Sequence, residues 1–195
     1  MCNIKEQKKA LRKELFVRRR NLLQNSELDY SKIIFEKIYE MDAYKNAKCI
    51  MCYVSYGDEL PTFNFINHAI ADGKIILTPI CNPDHTMTLA VTKTCPEGFV
   101  ETKMGILEIP IEDAIPMKEE EIDVIITPGL SFTLDGKRMG YGGGFYDRMF
   151  EKIRPDCLKL CPTYDGMISD DLVTDVHDCL VDILVSETRT VFISK

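Results

Sequence analysis

Between Ile126 and Phe150 the chain reads ITPGLSFTLDGKRMGYGGGFYDRMF, and four glycines fall within five positions: Gly140, Gly142, Gly143 and Gly144. Each glycine costs roughly 0.5–1 kcal/mol of conformational entropy in a regular element, so the cluster needs a reason. Successive glycines let backbone N–H groups point into one concavity, and a following helix N-terminus adds positive potential. That is a phosphate cradle in principle. No Lys-Ser/Thr follows the glycines, so it is not a P-loop, and Phe145 stands where a dinucleotide fingerprint needs its third glycine. A long surface loop requiring positive φ angles also fits the glycines alone. The neighbours favour chemistry: Lys137 and Arg138 precede the cluster, and Tyr146, Asp147 and Arg148 follow it.

Three other clusters carry reactive types. The N-terminal segment holds Lys5, Lys8, Lys9, Arg12, Lys13, Arg18, Arg19 and Arg20. Lys8 and Arg12 are four apart and share a helix face, which is either a solvated basic face or a local attractor for a triphosphate. In VSYGDELPT, Tyr56, Gly57, Asp58 and Glu59 follow an apolar strand. A carboxylate there can accept hydrogen bonds from an aminopyrimidine-type ring, or can simply precede a helix begun by Pro61. Late in the chain, Asp175, His177, Asp178 and Asp182 lie close in sequence. Such a group can hold Mg²⁺, a hard ion that prefers oxygen ligands, or can be a run of turn residues before a strand.

These side chains must be positioned by regular elements. Residues 5–24 read as a helix with Leu11, Leu15 and Leu22 on one stripe. Glu27–Met41 reads as a second, with Ser26 as its N-cap, and Pro61 begins a third that ends near Gly73. CIMCYV, KIILTP, TMTLAVT and EIDVIITP read as strands, with the acidic run Glu119–Glu121 as a solvated loop cap. A short helix over FYDRMFEKI stops before Pro155, and LKLCPTY, LVDILVS and TRTVFI supply the last strands. Strands alternating with helices predict an α/β sheet with helices on both faces. Ligands of such sheets bind beyond the carboxyl ends of the strands, where the glycine loop is expected.

At 195 residues one domain spanning 1–195 is expected, large enough to fold without a disulfide or metal staple. A net charge of -7 and a pI near 5.1 argue against a general nucleic-acid binder. No run of about 18 apolar residues predicts a membrane span. The charged N-terminus carries no apolar signal core, and the eight cysteines are expected as free thiols in a reducing cytoplasm. Cys49 and Cys52 have CxxC spacing, but in a strand residues i and i+3 point to opposite faces. Buried thiols are expected there, not zinc ligands.

PGLSFTLDGKRMGYGGGFYDR, together with KKALR near the start, YVSYGDELPT after the first strand, GILEIP at 105–110 and the late HDCLVD, resembles the 5-formyltetrahydrofolate cyclo-ligase (5,10-methenyltetrahydrofolate synthetase) family. Order and separation fit over nearly the whole chain. The resemblance implies a three-layer α/β sandwich with a mainly parallel sheet, related to sugar-phosphate isomerases and CoA transferases. It implies an ATP- and Mg²⁺-dependent ring closure by a cytoplasmic enzyme acting on small molecules, with neither nucleic-acid nor membrane partners; a monomer is expected. ATP would phosphorylate the formyl oxygen and N10 would then attack the activated carbon. Carried onto this sequence, Lys8, Arg12, Arg138, Met139, Gly140, Tyr141, Gly142, Gly143, Gly144, Phe145 and Tyr146 are expected to bind ATP. Arg138 and Tyr146 are the expected catalytic residues, and Tyr56, Glu59 and Tyr146 the folate-side residues. Asp147 and Asp178 are the expected Mg²⁺ ligands. Two positions depart from the family pattern: Thr133 stands where Asp is usual after the Pro-Gly-x-x-Phe segment, and Ile80 follows Pro79 where many members carry a basic residue. Two rivals remain: a sugar-phosphate enzyme needing no ATP, and a non-catalytic nucleotide- or RNA-associated module using the basic first helix.

Overall fold

The computed structural model describes residues 3–24, 26–175 and 178–194. In chain order the elements are α1 (Ile4–Gln24), α2 (Tyr30–Glu40), α3 (Asp42–Asn46), β1 (Cys49–Cys52), α4 (Phe63–Ala71), β2 (Ile75–Cys81) and β3 (Met87–Thr92). They continue with β4 (Val100–Glu101), β5 (Leu107–Glu108), β6 (Pro116–Met117), β7 (Val124–Ile126), β8 (Ser131–Phe132) and β9 (Arg138–Met139). The last are α5 (Phe145–Phe150), β10 (Leu158–Pro162), β11 (Ile183–Val185) and β12 (Thr190–Phe192). Eight strands form the main sheet in the order β12-β11-β10-β7-β1-β2-β3-β6. The central strands β11, β10, β7, β1 and β2 are parallel, and antiparallel β12, β3 and β6 finish the two edges.

The period-2 pattern of β1 sends its residues to both faces, and both faces are covered. Ile50 and Cys52 pack with Leu15 of α1, Ile34 and Ile38 of α2, and Phe65 and Ile66 of α4. Cys49 and Met51 pack on the other side with Met149 and Phe150 of α5. The CxxC pair is therefore divided between two cores, and burial pushes the Cys49 thiol up to about 11. Phe132, from the small β8–β9 hairpin, covers Cys161, Val181 and Leu184 beside α5. The expected three layers are present: helices, a mainly parallel sheet, then α5 with the hairpin. Among the described residues no helix is long and apolar enough to cross a membrane.

Several boundaries differ from the sequence expectation. Helix α2 starts at Tyr30 because Asp29, not Ser26, caps it: Asp29 Oδ1 accepts from Lys32 N at 3.0 Å. Ser26 Oγ instead accepts from Leu28 N, two residues on. Helix α4 begins at Phe63, because Thr62 is held in the preceding loop by its hydroxyl, which donates to Tyr53 O and accepts from Ser55 N. Asp182 is no part of an acidic ligand group. It sits at the start of β11, where Oδ2 accepts from Lys159 N at 2.8 Å and pairs with Lys159 Nζ. Asp123 does the same for β1, accepting from Lys48 N and Cys49 N. Burial opposes its ionisation, but those amides and Arg154 outweigh it and hold the carboxyl below its ordinary range. His177 lies outside the described residues.

Candidate active site

Loops leaving the carboxyl ends of β1, β7 and β10 form one end of the sheet, and α1 lies across it. The approach of α1 is close: a side chain on Gly166 would meet Leu22 at 2.8 Å. The glycine loop does not leave β7 directly, as the sequence suggested. The chain first makes the β8–β9 hairpin, whose turn is closed by Thr133 N donating to Lys137 O at 3.1 Å. Leu130 N donates to Met139 O at 2.7 Å and brings the chain back to the strand end. Thr133 is buried in that turn, its hydroxyl accepting from Lys137 N and donating to Asp135. The departure from the family pattern at this position has a turn-forming role. Ile80 is buried in β2, so the other departure places no polar group at the site.

Residues 140–144 are ringed by guanidiniums. Arg138 lies beneath Gly140, where an added Cβ would stand 2.9 Å from its Nη1. Arg12 donates from Nε to Gly140 O at 2.8 Å and packs against Gly142. Arg148 donates to Gly143 O at 2.7 Å and packs against Gly144. Gly142 has φ 101° and Gly144, the N-cap of α5, has φ 70°; L side chains rarely adopt either conformation. The arginines engage loop carbonyls. Among the described residues the amides of Gly140, Tyr141, Gly142, Gly143 and Gly144 donate no hydrogen bond. Backbone N–H groups left without protein partners and surrounded by positive charge make an anion cradle.

Arg138 was expected to act on substrate directly. Its side chain is only 5% exposed, and Nη2 donates to Asp147 Oδ1 at 2.8 Å. Nη1 faces Pro128 O at 3.4 Å, and the rings of Tyr146 and Phe150 flank the guanidinium. The residue supports the floor of the cradle and aims Asp147. Lys8 was expected free for phosphate, yet it is paired with Asp178, whose Oδ2 also accepts from Asp175 N at 2.7 Å.

Tyr56 and Glu59, two of the expected folate-side residues, lie together in the loop after β1. Tyr56 N donates to Glu59 Oε2 at 2.9 Å, and the Tyr56 ring lies over Gly105 of the GILEIP segment. Burial raises the Glu59 carboxyl above its ordinary value, while the neighbouring Tyr141 hydroxyl, the Tyr56 amide and the charge of Arg19 pull it back. Burial pushes the Tyr146 hydroxyl well up, with the Glu59 charge adding to it. That hydroxyl is buried and has no hydrogen-bond partner among the described residues. Phe145 packs beside His85 at 5.4 Å between ring centroids. Met139 is buried in β9.

Asp147 pairs with Arg138 at the base of the glycine loop, and Asp178 pairs with Lys8, one turn before Arg12 on α1. Burial raises the Cys179 thiol, and the charge of Asp147 is its next-largest cause. Among the described residues no three His, Cys, Asp or Glu side chains form a metal cage. Mg²⁺ is usually held by one or two carboxylates plus substrate phosphates. Two carboxylates beside an anion cradle fit a nucleotide-borne ion.

Two arginines of the candidate site, Arg148 and Arg19, were named in the sequence reading but given no role by it. Arg148 lay in view, four residues after Gly144. Arg19 is 4% exposed and hid in the run Arg18–Arg20, yet its position continues the Leu11, Leu15, Leu22 stripe at helical spacing. That phase is the signal that distinguishes it from its neighbours.

The fold and the site together define a three-layer α/β protein with a glycine loop ringed by guanidiniums beside a cleft that Glu59 lines. The model of the 5-formyltetrahydrofolate cyclo-ligase family matches residues 4–187, and the chain belongs to that family. It is 28% identical to the mouse 5-formyltetrahydrofolate cyclo-ligase over 92% of this chain and 93% of that protein. Against the Haemophilus influenzae 5-formyltetrahydrofolate cyclo-ligase it is 25% identical, over 92% and 98%. The solved 5,10-methenyltetrahydrofolate synthetase of Aquifex aeolicus shares the fold with a TM-score of 0.82 at 24% identity, over 96% of this chain and 93% of that one. The Mycoplasma pneumoniae 5,10-methenyltetrahydrofolate synthetase does so with a TM-score of 0.71 at 21% identity.

Proposed function

We propose that this chain closes 5-formyltetrahydrofolate to 5,10-methenyltetrahydrofolate at the expense of ATP, releasing ADP and phosphate. The observation that carries the proposal is the run of amides from Gly140 to Gly144, unpaired among the described residues and set among Arg12, Arg138 and Arg148. Family membership supplies the substrate class.

The N5-formyl carbon is amide-like, a poor electrophile bearing a poor leaving oxygen. Attack of the formyl oxygen on the γ-phosphorus expels ADP and makes that oxygen part of a phosphate leaving group. N10 then adds to the activated carbon and loses its proton, and the C–O bond breaks as phosphate departs. This chemistry asks the protein for positioning and for neutralisation of phosphate charge, not for a covalent intermediate.

The loop amides, Arg12 and Arg148 bind the phosphates, and Arg138 fixes the loop from beneath. Glu59 and the Tyr56 ring hold the formyl substrate. Tyr146, with its unsatisfied buried hydroxyl, lies between the two halves and offers a donor at the reacting oxygen. Asp147 and Asp178 would hold Mg²⁺, which when bound neutralises charge on the phosphates. Lys8 and Asp178 neutralise each other; with nucleotide bound, Lys8 would turn to the triphosphate and leave Asp178 to hold Mg²⁺.

Incubation with ATP, Mg²⁺ and 5-formyltetrahydrofolate tests the reading by the methenyl chromophore. Product and ADP are expected one for one. Product at full rate without nucleotide refutes the ligase assignment, and ATP-independent turnover of a sugar phosphate favours the rival enzyme.

A further inference from the structure

Arg18 and Arg20 of α1 are exposed, whereas Arg19 between them is buried. No carboxylate lies within ion-pairing distance of its guanidinium among the described residues. Nη1 donates instead to the Tyr141 hydroxyl at 2.9 Å. The guanidinium carbon stands 5.7 Å from the ring centroids of Tyr141 and Phe16, and Nε has no partner. Arg19, Tyr141 and Glu59 line one narrow cleft with Tyr53, Pro128 and Thr163, and Arg19 is the single cation in that lining among the described residues.

The direction of the relay follows from donor chemistry. A guanidinium has no acceptor, so the Tyr141 oxygen accepts from Arg19 and its own proton stays available for a carboxylate, of which Glu59 is the single one in that lining among the described residues. Tyr141 belongs to the glycine loop, Glu59 to the loop after β1, and Arg19 to α1, so three separate segments meet at one cleft.

On the reading given under Proposed function, we propose that Arg19 is a positioning residue for the formyl substrate. Through the Tyr141 hydroxyl it fixes Glu59 as an oriented, charged acceptor on the folate-side wall. It also makes Tyr141 a member of the folate half of the site, although its backbone lies in the nucleotide loop. Burial alone drives the Glu59 carboxyl toward its neutral form, and the relay opposes that drift.

Calorimetric titration with 5-formyltetrahydrofolate, and separately with a non-hydrolysable ATP analogue, tests this on Arg19→Met, Tyr141→Phe, Glu59→Gln and the double variants. Arg19→Met and Tyr141→Phe are each expected to weaken formyl-substrate binding about tenfold, as when a charge-assisted bond is lost. Binding of the ATP analogue should stay within about twofold. In the Glu59→Gln background either change should add less than about twofold, because the charge it served is gone. Effects that multiply in the double variants overturn the proposal, as does an equal loss for the ATP analogue. Should Arg19→Met fail to fold, Tyr141→Phe decides, since it keeps the ring and removes only the hydroxyl. A native protein that binds and turns over the formyl substrate, with Tyr141→Phe binding it equally well, overturns this inference alone. A native protein that binds none of it overturns the functional reading as well.

Discussion

Arg138 and Asp147 form an ion pair at 2.8 Å, and the segment between them is the glycine loop itself. The pair joins the start of β9 to the first turn of α5, so the loop is closed at its base by one charge-assisted bond. A flexible run of glycines thereby gains two fixed ends. The conformations at Gly142 and Gly144 need only be selected between them, which reduces the entropy lost when a ligand orders the loop.

Arg12 tests the cradle from the side of the helix. It is half-buried, reaches Gly140 O at 2.8 Å and packs on Gly142. Arg12→Ala is expected to weaken ATP binding about tenfold or more, the loss of a contact worth ~1.5–3 kcal/mol, with 5-formyltetrahydrofolate binding little changed. Separate affinity measurements for the two ligands decide it. An unchanged ATP affinity in the folded variant returns this helix to a merely solvated basic face.

The contrast between Arg12 and Arg19 shows what the sequence made legible. Lys8 and Arg12 were readable because i,i+4 spacing fixes a shared face. Arg19 was not, because three identical residues in a row differ only by helical phase. The glycine loop was readable from composition alone, but the β8–β9 hairpin leading into it was not. Two-residue strands carry no usable period, and the hairpin is held by long-range packing of Phe132 on Cys161 and Val181. Sequence proximity likewise grouped Asp178 with Asp182, although the structure gives Asp182 to the start of β11, where it orients Lys159.

Thr133 carries a prediction of the opposite kind. Its hydroxyl accepts from Lys137 N at 3.0 Å and donates to Asp135 inside the hairpin turn. Thr133→Val is expected to cost ~1 kcal/mol of stability, the net value of such a bond, and to leave kcat/KM within about twofold. Denaturant melts and steady-state rates on the same preparation check both halves. Turnover that collapses while the fold holds would move Thr133 into the catalytic machinery.

Asp147 separates metal binding from structural support. Gly144, not Asp147, is the N-cap of α5, so the carboxylate serves the helix only through the first-turn dipole, an effect of ~0.3–1 kcal/mol. Its pairing with Arg138 is the larger structural task, because that guanidinium is buried while the carboxylate is 28% exposed. Asn at this position can still accept from Arg138 but withdraws the compensating charge. Asp147→Asn is therefore expected to lower stability by ~1–3 kcal/mol, the range for an under-satisfied buried polar group. A purely supporting carboxylate predicts that turnover follows the folded fraction and that the Mg²⁺ dependence keeps its midpoint. A ligand predicts more: turnover lost by ~10²-fold in fully folded protein, as when a transition-state charge stabiliser is removed. It also predicts a Mg²⁺ curve displaced to higher concentration, with excess metal recovering part of the rate, because Asp178 and the phosphates still hold the ion. The ligand outcome is the expected one. The thermal midpoint and the Mg²⁺ titration of the Asn variant, taken together, decide between them, and an unmoved titration curve would leave Asp147 as the counter-ion of Arg138 alone.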